Sequence, residues 1–396
     1  MKLTENLVSI VVLSYQNLEY LNECILSILN QDYSPIQLIV SDDASDFFDE
    51  KALEMFIEEN KHDNLVDFKI IANKTNVGTV KNIINAFTYV KGDFYITSGA
   101  DDLLADNSVV TRFIQKFQKE PEDVWVCGKL KNVSENLEIS YQVYPTEYDI
   151  SVFEERDAKK HWNLWARRGV LCTCSICYRK QVLEIVGGFD TSYAYVEDWP
   201  VFLKLLRNGY APGYIDKIVA KRRIGGISRN FTAAGSLKRK RFLQDKYHLF
   251  EEEVNPYINE MSPEDLKKYK YYIKELLDRT YFFDCIYSEC GGKWEKFKLM
   301  FSSPQNFLWI LEFQFWQYWK KVGYKMRNLN VLYIILLFFL IYINCCLLEP
   351  LSVITFTIKG LALGLGTLLT LLTLLTFLLK GVFSNRAKKR VKVTES

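Results

Sequence analysis

The chain has 396 residues, a length that exceeds one ordinary domain and predicts roughly two or three structural units. Fifty basic residues against forty-eight acidic ones leave a formal charge of +2, which gives no reason to expect nucleic acid as a partner. The nine cysteines are an odd number and follow no secretory signal, so we expect reduced thiols in a cytosolic compartment.

The first part of the sequence alternates between short apolar runs and helical patterns. Residues 8–13 (VSIVVL) form a β-branched run of buried-strand length, and apolar residues at helical spacing follow it. The alternation continues with predicted strands at 37–41, 68–72 and 94–98, and with predicted helices around 53–57, 80–90 and 109–117. Strands that alternate with helices predict an α/β fold, a mostly parallel sheet with helices on both faces.

Polar residues follow three of the predicted strands, at the edge where open α/β sheets bind their ligands. Residues 14–17 (SYQN) follow the first strand, residues 42–45 (DDAS) follow the second, and Asp101 and Asp102 follow the strand that ends at residue 98. We expect these three loops to converge. Two carboxylates at a strand end suit a hard divalent cation, although acidic residues near a following helix also serve as caps.

The order of these segments resembles that of the family 2 inverting glycosyltransferases, whose catalytic domain has the GT-A fold. The resemblance covers about residues 6–230 and is carried by the loops above, by residues 76–82 (NVGTVKN), and by residues 187–190 (GGFD) with Glu197 and Asp198 behind them. It implies a nucleotide-diphosphate sugar as donor and Mn²⁺ or Mg²⁺ as cofactor.

The resemblance also implies roles for individual residues of the donor site. Tyr15 would lie against the nucleotide base, and Asp43 would accept a hydrogen bond from it. Lys81 stands where the family usually has an arginine near the base or the phosphates. Asp101 would hold the ribose hydroxyls, and Asp102 would be the main protein ligand of the metal.

Inversion at the anomeric carbon requires a base that removes the proton of the acceptor hydroxyl. Asp198 matches the family's base, and its neighbour Glu197 would orient the loop or the acceptor. The pair could instead only begin the helix predicted at 199–207, because acidic residues favour a helix N-terminus. After the strand predicted around 215–221, Arg223 matches an arginine that the family places near the diphosphate.

Two positions depart from the family pattern. Gly99 stands where the family often has a further aspartate, and Gly225 stands where it has a histidine in the loop that covers the diphosphate. Because of these departures, the sequence is also compatible with a protein of another class, a membrane-tethered nucleotide-binding scaffold without catalytic activity. A nucleotidyltransferase is a further alternative, but no glycine-rich, basic phosphate loop follows the first strand.

Three cysteines lie close together in the run CTCSIC, at Cys172, Cys174 and Cys177. A second cysteine pair or a histidine cluster at the spacing of a structural zinc site does not accompany them. We therefore expect small buried thiols in an apolar strand.

The C-terminal part of the sequence predicts a membrane anchor. Residues 1–235 are predicted to be the catalytic domain, and charged helical patterns over 236–328 predict a helical, membrane-proximal linker. Residues 331–348 and 360–379 are apolar and close to the roughly 20 residues that span a bilayer, so the region 329–383 is predicted to hold two transmembrane helices. A hairpin buried in protein or entering the bilayer only partway is the alternative.

Positive charge on both flanks of this hairpin, including the basic tail at 384–396, places the catalytic domain and both termini in the cytoplasm. The sequence therefore predicts an inverting, metal-dependent glycosyltransferase of the cytoplasmic membrane. Its partners would be a nucleotide-diphosphate sugar, a lipid-linked or other membrane-associated glycan acceptor and membrane lipids, as in polysaccharide biosynthesis.

Overall fold

The computed structural model describes residues 6–147, 149–224, 237–287, 302–303 and 305–306. By its internal contacts the chain divides into two units, Met1–Lys296 and Phe297–Ser396. The two predicted transmembrane segments and the basic tail lie outside the described residues. Within the part of the chain that is described, no helix is long and apolar enough to cross a bilayer.

The first half of the sheet is built from four parallel strands separated by helices. In chain order its elements are β1 (Val8–Ser14), α1 (Leu18–Leu29), β2 (Ile36–Asp42), α2 (Glu50–Asn60), β3 (Leu65–Ala72), α3 (Thr79–Phe87) and β4 (Phe94–Gly99). The strands pair in the order β3-β2-β1-β4, with Val8 of β1 level with Ile36 of β2 and Phe94 of β4. The strands predicted at 8–13, 37–41, 68–72 and 94–98 are confirmed.

Both faces of this half-sheet are covered, which explains its continuous apolar runs. One face packs against α1, α2 and the helix α4 (Val109–Lys119) to form what we call the aliphatic core, in which Ile10, Ile25 and Leu38 are fully buried. On the other face Val11 and Ile39 pack against Ala86 of α3. A strand buried on both faces cannot show polar alternation, because each of its side chains meets another element.

The second half of the sheet is mixed. Its elements are β5 (Asp102–Leu104), β6 (Trp125–Val133), β7 (Ser140–Tyr144), α5 (Ile150–Glu155), α6 (Ala158–Trp165), a 3₁₀ turn (Thr173–Ser175), β8 (Ile176–Arg179), α7 (Val182–Val186), α8 (Asp198–Arg207) and β9 (Gly213–Arg223). The order continues β4-β8-β6-β9-β5, and β7 pairs with β6.

The prediction of a mostly parallel sheet is wrong for this half. β8 runs antiparallel to both β4 and β6, β7 runs antiparallel to β6, and β5 runs antiparallel to β9. The strand–helix alternation ends with α4, and the short connection from β6 to β7 is a hairpin, which joins antiparallel strands. The fold is therefore an α/β fold with a mixed sheet, parallel in its first half and mixed in its second.

Helices α5–α8 pack on the second half-sheet and form what we call the aromatic core, whose buried residues include four tryptophans. The helical stretch after residue 236 joins the same core. It consists of α9 (Leu237–Leu249), a π-helical turn (Phe250–Val254), a 3₁₀ turn (Asn255–Glu260) and α10 (Pro263–Tyr287). Leu249, Phe250 and Tyr269 are buried there, so this stretch packs against the aromatic core.

Candidate functional site

The loops that follow β1, β2 and β4 meet at one edge of the sheet, as the sequence predicts. The Asp43 N–H donates to the Ser14 carbonyl over 2.9 Å, and the Ala100 N–H donates to the Leu13 carbonyl over 2.9 Å. The Asn17 amide donates to Oδ1 of Asp101 over 3.3 Å. These bonds join all three loops.

Asp43 organises one end of this edge. Its carboxylate is buried and accepts from the backbone N–H groups of Val77 and Gly78, each over 2.8 Å, and from the Asn73 amide over 3.0 Å. Gly78 has φ of 89°, a left-handed conformation that a residue without a side chain adopts freely. Asp43 therefore fixes the loop that leads into α3.

Two tyrosines and one lysine lie in segments that adjoin Asp43. Tyr15 is half-buried at the end of β1, and Tyr195 lies close enough for interaction with its charges. Burial raises the pKa of Tyr195, and Asp245, Tyr15 and Asp43 add to the rise. Lys81, in the first turn of α3, exposes its side chain, and it makes no ion pair with any of the described residues.

Asp101 and Asp102 occupy the other end of the edge. Burial raises the pKa of Asp101, while Arg223 and the hydrogen bond from Asn17 oppose the rise. Asp102 is only 8% exposed, and its Oδ1 has no hydrogen-bond partner among the described residues. Burial raises the pKa of Asp102 well above its usual range. A buried carboxylate oxygen without a partner is costly, which is consistent with a site that receives a cation.

Cys172 and Cys174 lie beside Asp102. Their sulfurs are 3.0 Å apart, and the possible ligand atoms of the three residues lie within 4.8 Å of one another. The hydrogen bond with Cys174 and the charge of Arg222 lower the pKa of Cys172 to about 7, although burial opposes the shift. Cys177, by contrast, is a buried thiol in β8, as the sequence predicts.

The two arginines at the end of β9 point to opposite faces because side chains alternate along a strand. Arg222 is level with Asp102 of β5, and its Nε donates to the Asn132 side chain over 3.1 Å. Arg223 is buried; it donates to the carbonyls of Glu135 and Asp101, pairs with Glu23 and stacks on Tyr20. The predicted phosphate contact of Arg223 stays a prediction, but its guanidinium is fully engaged. Gly225 lies outside the described residues.

Glu197 and Asp198 stand at the start of α8. Burial raises the pKa of Asp198 to about 6, and Arg222 partly offsets the shift. Burial and the charge of Asp198 raise the pKa of Glu197 well above its usual range. Asp198 is also near enough to raise the pKa of Cys172. Arg222 and Cys172 thus connect the predicted base electrostatically with the predicted metal ligand, Asp102.

Residues 9–184 match the sequence profile of glycosyl transferase family 2. The matched segment is less than half of the chain, and its sequence is similar to that family. The match begins in β1 and extends beyond β8, so it includes the three converging loops and the cysteine pair. It ends before Glu197 and Asp198, whose roles rest on the order of motifs and on the geometry above.

Two curated relatives have low sequence identity to this chain. Glycosyltransferase GlyG of Streptococcus pneumoniae is 30% identical over 148 residues, which is 37% of this chain and 46% of GlyG. A dolichyl N-acetyl-alpha-D-glucosaminyl phosphate glucuronosyltransferase of Methanococcus voltae is 25% identical over 52% of this chain and 63% of its own length. The chain thus spans less than two thirds of either relative. Mannosyltransferase PcManGT from Pyrobaculum calidifontis, solved with GDP-Man and Mn²⁺, aligns over 79% of this chain and 87% of its own at 14% identity, with a TM-score of 0.47.

Gly99 stands where the resemblance leads us to expect an aspartate, and the structure supplies a steric account of the glycine. A Cβ added at Gly99 would lie 2.7 Å from Oδ1 of Asp101, so any side chain there would have to displace that carboxylate. The divalent cation that the resemblance implies would fit the Asp102 oxygen that has no partner among the described residues. The sulfurs beside that oxygen are softer donors than Mn²⁺ or Mg²⁺ prefers.

Outside the matched segment, Asp245 of α9 holds the loop that precedes the predicted base, Asp198. The sequence analysis did not identify Asp245. Its buried carboxylate accepts from the N–H groups of Ala194 and Tyr195, over 2.9 and 2.6 Å. This loop leads directly to Glu197. Asp245 binds this loop from a helix that is distant in sequence, so no local sequence signal predicts the contact. Arg222 could have been identified, because side chains alternate between the two faces of a strand such as β9.

Proposed function

We propose that the chain is an inverting glycosyltransferase that moves a sugar from a nucleotide-diphosphate donor to a membrane-associated glycan. The observation that carries this proposal is a pair of carboxylates, those of Asp102 and Asp198. Both interact electrostatically with Cys172 and with Arg222. Asp102 presents a buried oxygen that no described residue hydrogen-bonds, and burial raises the pKa of Asp198 to about 6. One carboxylate suits a cation and the other suits a base.

Asp198 is the base of the proposed reaction. A carboxylate with a pKa of about 6 is ionised at neutral pH, yet it is more basic than an exposed aspartate. It would take the proton from the acceptor hydroxyl as that oxygen attacks the anomeric carbon. Burial and the charge of Asp198 raise the pKa of Glu197 well above its usual range, and Glu197 would orient the acceptor or the loop.

The donor would lie across the converging loops. Tyr15 would stack on the nucleotide base, and Asp43 would accept a hydrogen bond from that nucleotide base. Asp101 would hold the ribose hydroxyls, and Lys81 would interact with the phosphates. Arg222, which faces Asp102, is the guanidinium that we expect near the diphosphate. Mn²⁺ or Mg²⁺ bound at Asp102 would supply neutralisation of the charge on the departing diphosphate.

The acceptor part of the proposal depends on the predicted anchor at 329–383. A hairpin with both termini in the cytoplasm would hold the catalytic domain at the cytoplasmic membrane, in contact with membrane lipids. Confinement to the membrane favours an acceptor that is itself confined there, such as a lipid-linked glycan. The name of the Methanococcus voltae relative, which contains a dolichyl phosphate, supports this choice.

The test is the Asp198→Asn variant beside Glu197→Gln. We expect Asp198→Asn to lower the rate of sugar transfer on the order of 10³-fold, because a general base contributes about 10²–10⁴-fold. Nucleotide binding, measured by calorimetry, should change less than about twofold, since no proton transfer is involved. Glu197→Gln should retain more activity than Asp198→Asn. Full transfer activity in a folded Asp198→Asn protein would remove Asp198 from the mechanism.

A further inference from the structure

Two cysteine sulfurs lie beside the carboxylate of Asp102, although the sequence predicted them to be buried apolar thiols. Sγ of Cys172 and Sγ of Cys174 are 3.0 Å apart, and both are within 4.8 Å of a carboxylate oxygen of Asp102. We propose that Asp102, Cys172 and Cys174 bind a thiophilic divalent cation such as Zn²⁺, with a fourth coordination position left open.

The unpartnered oxygen of Asp102 is an independent observation in favour of a ligand. Asp102 is more than nine-tenths buried, with 8% of its surface exposed, and its Oδ1 has no hydrogen-bond partner among the described residues. An unsatisfied buried carboxylate oxygen is expensive, and coordination to a cation removes that cost. The two sulfurs lie where such a cation would complete its coordination.

The donor set determines which cation fits. Thiolates favour Zn²⁺ and other soft ions, whereas Mn²⁺ and Mg²⁺ favour carboxylate, carbonyl and water oxygens. In a tetrahedral zinc site with Zn–S near 2.3 Å, two sulfurs stand roughly 3.8 Å apart. The sulfurs of Cys172 and Cys174, now 3.0 Å apart, would have to separate by a little less than about 1 Å. Three protein ligands with one open position is the arrangement of catalytic zinc.

Arg222 balances the charge of this donor set. Two thiolates and one carboxylate bring three negative charges to an ion of charge +2, and the guanidinium of Arg222 supplies the remaining positive charge. Arg222 is level with Asp102 across β5 and β9, and it donates to the Cys172 sulfur. The Asn132 side chain holds its Nε over 3.1 Å.

Asp102 is also the metal ligand of the proposed transferase. Any catalytic role of the thiolate site therefore rests on the proposed function. The open position would then receive an oxygen of the donor diphosphate, and the metal preference of the enzyme would shift towards soft ions. The affinity for metal is measured without any donor or acceptor, so the two proposals can fail separately.

Co²⁺ serves as the probe, because Co²⁺ bound to thiolates absorbs through sulfur-to-metal charge transfer. The full chain, reduced in detergent and freed of reductant without oxygen, should show this absorption at one equivalent of Co²⁺ and lose it when Zn²⁺ is added. Cys172→Ser and Cys174→Ser should each abolish the band and weaken Zn²⁺ binding on the order of 100-fold. Mn²⁺ binding should change less than about threefold.

Cys177→Ser is the matched control, because Cys177 is a buried thiol of the same run that lies outside the cluster. It should keep the band, whereas Asp102→Asn should lose it. X-ray absorption of the wild-type zinc complex should count two sulfurs at about 2.3 Å. Absence of the band, its persistence in Cys172→Ser, or a sulfur count other than two would overturn the proposal.

The combined results separate the two proposals. Transfer supported by Mn²⁺ in a protein without the charge-transfer band would leave the transferase standing and remove the thiolate site. A charge-transfer band in a protein that transfers sugar from no donor would leave the thiolate site standing and remove the transferase.

Discussion

The two cores of the protein differ in the kind of residue that they bury. Among the described residues, the aliphatic core beneath β1–β4 buries valine, isoleucine and leucine with three phenylalanines, and no tryptophan or tyrosine. The aromatic core around α6–α8 contains four buried tryptophans. Several polar atoms there have no hydrogen-bond partner in the described part of the chain, including both ring nitrogens of His161 and the indole nitrogen of Trp165.

The two cores support different ends of the candidate site. The aliphatic core holds the strands that lead to Tyr15 and Asp43, where the site carboxylate is fully hydrogen-bonded. The aromatic core holds α8, which begins at Asp198, and burial raises the pKa of that carboxylate. Asp102, at the proposed site, keeps one buried oxygen without a partner among the described residues, and functional sites are where proteins commonly give up stability.

The largest expected effect comes from removing a ring of the aromatic core. Trp165 is fully buried and packs edge-to-face on Phe202 of α8, with ring centroids 4.7 Å apart. Trp165→Ala should lower the free energy of unfolding by about 3–5 kcal/mol, measured by urea denaturation. In the protein that remains folded it should also lower the transfer rate, because Phe202 lies on the helix that carries Asp198.

Ile10→Ala is the matched variant in the aliphatic core. Ile10 is fully buried in β1, and its truncation should lower the free energy of unfolding by about 2–5 kcal/mol. The variant should weaken nucleotide binding more than it lowers the rate at saturating donor. Identical kinetic effects of the two variants would contradict the inference that the two cores support different ends of the candidate site.

A smaller effect is expected at Asp43. Asp43→Ala removes a carboxylate that accepts three hydrogen bonds from residues 73–78, and we expect about 2–3 kcal/mol of lost stability. Nucleotide binding should weaken as the loop loosens. Asp49→Ala is the control, because Asp49 caps α2 with two similar backbone bonds but lies outside the candidate site. Equal loss of nucleotide binding in both would argue against a site at Asp43.

The smallest effect is a change of stability with pH. Because the folded protein raises the pKa of Asp198 to about 6, ionisation opposes folding, and the stability from its protonated form is lost as pH rises from about 4 to 6. Asp198→Asn should therefore be more stable than wild type by about 1 kcal/mol above pH 6, after allowance for partial exposure. Thermal melts should show no difference near pH 4. A variant that is less stable at pH 7 would contradict the raised pKa.

The aliphatic half of the fold was predictable because its signals are local. Unbroken apolar runs identify β1 and β2, and polar residues directly behind them identify the loops of the site. The mixed half was less predictable. β5 and β8 are short, and their antiparallel pairing with β9 and β4 depends on contacts between residues that are distant in sequence.

The candidate site divides in the same way. Motif order predicted roles for Asp102, Asp198 and Arg223, and those roles stay predictions. The structure turns Arg223 towards Glu23 and places Arg222, which the motifs did not name, opposite Asp102. The spacing of Cys172 and Cys174 predicted no metal site, because their third partner, Asp102, comes from another strand. Side-chain direction and partners from remote elements are set by tertiary packing, which spacing along the chain does not encode.

The most direct test is donor turnover by the detergent-solubilised chain against a panel of UDP-, GDP- and dTDP-sugars, with added divalent metal or with EDTA, beside Asp102→Ala. The account predicts turnover of one donor class that requires metal and falls on the order of 10³-fold in the variant. Nucleotide binding without turnover of any donor would favour a scaffold, and release of pyrophosphate would indicate a nucleotidyltransferase. Turnover that is indifferent to EDTA and to Asp102→Ala would contradict the central claim.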